Sequence, residues 1–175
     1  ILLARQFMDD RGFPQREAPN APNYVSIRCS NPEASFESET FPWLGPHGGF
    51  RAPAPALAYR LKGTALDEGD TITLTLGDRS QDSPGFQMQS FSNDACPVPI
   101  YVNLERNDYF VSLPLPTYRV VGAEASAVQG FAPSVVATGE TFTVSVRTED
   151  AFYNRASGSI PEYTVTLNGA RYGTL

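Results

Sequence analysis

Imidazole and thiol are nearly missing from this sequence: its 175 residues include one histidine, His47, and two cysteines, Cys29 and Cys96. A structural zinc site takes about four such ligands, so these side chains alone cannot enclose one. Basic residues are also scarce, 13 against 19 acidic, for a formal net charge of -6. A surface that neutralises phosphates needs a surplus of Lys and Arg, which excludes nucleic acid as the expected partner. Long apolar runs are lacking too, and none approaches the roughly 20 residues that a membrane-spanning helix requires. The opening, ILLARQFMDD, has no initiator Met and becomes charged too quickly for a signal peptide. Both ends look cut, so the chain is expected to be a segment of a longer protein.

What is present points to strands. Hydrophobic residues make up 41% and charged residues 18%, as in an ordinary folded chain, but 15 prolines and 14 glycines work against long helices. Short runs rich in β-branched and aromatic residues predict strands at 24–29, 57–61, 72–76, 86–91, 100–104 and 109–113. TITLTL alternates strictly, placing Ile72, Leu74 and Leu76 on one face and threonines on the other. Phe142, Val144 and Val146 alternate in the same way, as do Tyr163, Val165 and Leu167. Turn signals such as Asp67-Glu68-Gly69-Asp70, Ser83-Pro84-Gly85 and Arg106-Asn107-Asp108 separate the runs. No stretch holds the i, i+3, i+4, i+7 apolar pattern over three turns. The expected fold is therefore all-β: an antiparallel β-sandwich, immunoglobulin-like, with long Pro/Gly-rich loops and little helix.

Pro114 and Pro116 suggest a boundary, giving a β-sandwich domain at 1–117 and a second module at 118–175. In the latter, GFAPSVVATGETFTVSVRTED resembles the first strands of a bacterial immunoglobulin-like module. Such modules run through a Pro-led strand, a Gly-Glu turn, an alternating strand and an Asp-x-x-x-Asn loop, places filled here by Pro133, Gly139-Glu140, residues 142–146, Asp150 and Asn154. The usual loop has glycine before the asparagine, and this chain has Tyr153. A whole module takes about 100 residues, so the second one is either truncated or contributes its strands to the first sandwich.

In the first block, Ala21-Pro22-Asn23-Tyr24-Val25, Gly77-Asp78-Arg79-Ser80 and Ser83-Pro84-Gly85 carry a sharper likeness. They resemble the amino-terminal region of an uncharacterised bacterial family in which β-sandwich segments precede a metal-dependent hydrolase domain of the polymerase-and-histidinol-phosphatase type. The resemblance implies an accessory region whose partner is a downstream domain of the same polypeptide. The metal ligands of that family lie in an Asp-Leu-His-x-His type motif, which nothing here matches, so no catalytic residue and no cofactor are assigned to this chain.

The remaining candidates are few. His47 lies in GPHGGF, which is similar to the oxyanion loop of lipases, but the chain has neither the Gly-x-Ser-x-Gly elbow nor a second histidine. Nineteen acidic residues offer many carboxylate pairs and no means of choosing one for glycoside hydrolysis. Glu149, Asp150 and Asn154 are candidate calcium ligands because hard cations take oxygen donors. Asp67, Glu68 and Asp70 are of the same kind, yet neither set follows a spaced calcium-loop pattern, and a turn-forming role is favoured for both. Residues 33–56 show no periodicity and hold Phe36, Phe41, Trp43 and Phe50. Phe41, Trp43 and Phe50 form a candidate interaction surface for a glycan or a protein, against the alternative that they plug one end of the sandwich. Cys29 and Cys96 form a disulfide only if the protein is exported, and the compartment is left open.

Overall fold

The computed structural model describes residues 1–4, 10–41, 56–105, 107, 110–158, 162–167 and 169–174. Among them there is no helix, and the protein is all-β, built from several antiparallel sheets without a closed barrel. In chain order the strands are β1 (Leu2–Leu3), β2 (Val25–Cys29), β3 (Ser35–Phe41), β4 (Ala56–Lys62), β5 (Ile72–Leu76), β6 (Asn93–Pro97) and β7 (Ile100–Val102). There follow β8 (Val111–Ser112), β9 (Thr117–Val120), β10 (Ala127–Phe131), β11 (Ser145–Glu149), β12 (Thr164–Leu167) and β13 (Ala170–Thr174). One five-stranded sheet has the order β3-β4-β1-β7-β8, and β2-β5, β6-β9, β10-β11 and β12-β13 are two-stranded. The chain divides into two compact units, Ile1–Ser90 with Asp94–Val120 and Phe91–Asn93 with Val121–Leu175.

The core of the first unit follows from register. β1 pairs with both β4 and β7, so Leu3 lies opposite Leu57 and Ile100, and Leu2 lies opposite Ala58 and Tyr101. Successive strand residues point to opposite faces, and β1 therefore serves both. On one face Leu3, Leu57 and Tyr59 gather with Val25, and Ile27 of β2 and Leu74 of β5 pack against them. On the other, Leu2, Ala4, Ala56, Ala58 and Tyr101 form a second cluster with Phe110 against it. Four consecutive residues of β4, 56–59, are thus buried, so the strand reads as a continuous apolar run instead of an alternation. Leu2 at 1% and Val25 at 2% exposure are the largest side chains fully removed from water; each such burial contributes about 1.5–3 kcal/mol. The Tyr59 hydroxyl donates to the Val25 carbonyl at 3.4 Å, and burial pushes its pKa up to about 12.

The β2-β5 ribbon pairs in full five-residue register from Val25 opposite Leu76 to Cys29 opposite Ile72. Thr73 and Thr75 are exposed while Ile72 and Leu74 are half-buried, as the alternation of TITLTL requires, but Leu76 at the end of the strand is exposed. Asp67 and Asp70 act in the turn before β5: the Asp70 carboxylate accepts from the Asp67 amide at 2.9 Å and from Asn31 Nδ2 at 3.3 Å.

Several expectations are corrected. Residues 86–91 are not a strand, because their backbone is used elsewhere: the Gln87 amide donates to Asn23 Oδ1 at 2.7 Å, and its carbonyl accepts from Gly12 at 3.1 Å. The segment 33–56, read as aperiodic, contains β3. Its acidic residues hid the strand, and they are matched across it, with Glu37 pairing Lys62 at 2.8 Å and Glu39 pairing Arg60 at 2.7 Å. Cys96 lies buried in β6. Neither cysteine is bridged. Phe142 and Val144 precede β11 instead of belonging to it.

In the second unit, β10 and β11 pair from Ala127 opposite Glu149 to Phe131 opposite Ser145. β12 and β13 form a ribbon whose register shifts between Val165 and Thr166. The buried side chains among its described residues are polar: Thr148, Glu149 and Asp150. Val128, Phe131, Phe142, Val144 and Val146 are all exposed.

Candidate functional site

Two loop clusters are closed on a buried aspartate. The first lies at the end of the β2-β5 ribbon, where Gly77, at φ 69°, turns the chain sharply back on leaving β5. A side chain could not be accommodated there, since a Cβ on Gly77 would stand 2.4 Å from the Phe86 amide nitrogen. The amides of Gly77 and Asp78 donate to the Tyr24 carbonyl at 2.7 and 3.1 Å. Asp78 Oδ2 accepts from the Ser26 hydroxyl at 2.5 Å, and Oδ1 accepts from the Ser80 amide at 2.9 Å. The bond from Ser26, then that from Ser80, hold the Asp78 carboxyl down to about 2.

The third sequence motif closes over the same place. The Ser83 hydroxyl donates to the Ala21 carbonyl at 2.8 Å, the Asn23 amide donates to Gly85 at 2.8 Å, and Arg79 Nη2 donates to Pro84 at 2.7 Å. Asn23 takes the left-handed conformation, φ 65°, which asparagine tolerates better than most residues. The three motifs that are distant in sequence therefore meet in one knot, with Asn23, Asp78 and Ser83 buried. Each is engaged by the loop's own donors and acceptors.

The second cluster follows β11. Asp150 Oδ1 accepts from the amides of Phe152 at 2.8 Å and Asn154 at 3.0 Å, and Oδ2 accepts from the Ala123 amide at 3.0 Å and from Asn154 Nδ2 at 3.0 Å. The Ala123 amide is the largest cause holding the Asp150 carboxyl down to about 2. Asn154 Oδ1 accepts in turn from the Ser92 amide at 2.8 Å. Beneath the loop, Gly122 approaches so closely that a Cβ there would lie 2.1 Å from the Arg155 carbonyl oxygen. At Tyr153 the chain adopts φ 65°, the left-handed form that glycine takes freely and an aromatic residue does not.

Of the proposed calcium ligands, Asp150 and Asn154 come together, bonded to each other. Glu149 is buried in an ion pair: Arg147 Nε donates to its Oε1 at 2.7 Å, Nη2 binds the same oxygen, and the guanidinium sits 5.1 Å from the Phe131 ring centroid. Among the described residues no three His, Cys, Asp or Glu side chains stand close enough to hold a metal ion. Phe41 ends β3, whereas Trp43, Phe50 and His47 lie outside the described residues. Carboxyls held near 2 with their oxygens filled by donors have little basicity or acidity to offer near neutral pH. Both clusters therefore act as loop anchors. Sequence reasoning missed Ser26 and Ala123 as partners, because neither a strand serine nor a backbone amide marks itself locally.

Compared with known proteins, the chain matches no family model, no curated protein and no solved structure.

Proposed function

We propose that this chain is a non-catalytic accessory module of a larger bacterial protein, an immunoglobulin-like β-sandwich region that positions a metal-dependent hydrolase domain elsewhere in the same polypeptide. The observation that carries the reading is the use made of its distinctive residues. The motifs 21–25, 77–80 and 83–85 converge, and their polar groups bind one another, fixing loops at the end of a ribbon. Residues used in this way define a shape and not a reaction centre.

The test is to assay the isolated chain and the full-length polypeptide side by side for metal-dependent phosphoesterase turnover. Activity confined to the full-length polypeptide is expected. Turnover by the chain alone overturns the reading.

A further inference from the structure

We draw no further inference here: the strongest candidate, the exposed apolar side chains of Val128, Phe131, Val144 and Val146 on and beside the β10-β11 ribbon, carries nothing because nothing in the structure shows what covers them.

Discussion

Asp78 and Asp150 each gather donors from distant parts of the chain, and the consequence is a stability that depends on pH. Both carboxyls have a pKa of about 2 in the fold, below the 3.8 of an unperturbed aspartate. A lowered folded pKa means that the unfolded chain takes up the proton first, so the stabilisation is complete above the unfolded value and is lost as pH falls from 3.8 towards about 2. Asp78→Asn and Asp150→Asn are each expected to lower the thermal midpoint at neutral pH and to flatten its fall across that acid window. Calorimetry on the two variants and the parent chain checks this, and a parallel acid limb in the variants would show that the carboxylates are not responsible. These roles were only partly legible in the sequence. Asp150 and Asn154 could be read as a turn from their spacing. The partnership of Asp78 with Ser26 could not, because 52 residues separate them and no local pattern links the two.

At the scale of elements, alternation served well where one face is wet and the other buried. β5 falls at 72–76 as its threonines predict, and β2 matches its run closely. It failed where charge masked the period or where the backbone was engaged outside a sheet. In β3 the glutamates read as loop, although Lys62 and Arg60 on the neighbouring strand answer them. In 86–91 the residues looked like a strand, but an asparagine side chain and a loop amide had claimed the backbone of Gln87. The contact of the residue 122 backbone with the loop after β11 is equally hidden from sequence. Gly122→Ala forces a methyl to 2.1 Å from the Arg155 carbonyl. It is expected to cost about 1–3 kcal/mol, with hydrogen exchange faster at the amides of Ala123, Asn154 and Ala156. Unchanged protection there would mean that the loop relaxes without loss.

On the scale of the whole molecule, the buried apolar side chains belong to the first unit, whereas those buried in the second are polar among the described residues. Truncation should therefore have unequal effects. Leu57→Ala removes a side chain from the cluster with Leu3, Val25 and Tyr59 and is expected to cost about 3 kcal/mol. Val128→Ala, at a half-exposed position, should stay within about 0.5 kcal/mol. Denaturant unfolding of both variants measures the contrast, and equal losses would mean that the second unit has an apolar core after all.

From residue order alone came the all-β class, the low helix content and the positions of strands whose period has one wet face, because these depend on neighbours a few residues apart. Folding in three dimensions settled which strands sit side by side, which glycines must remain bare, and which carboxylates are filled by donors. Those outcomes depend on groups brought within about 3 Å of one another from opposite ends of long loops, and no short-range pattern in the chain encodes such a meeting.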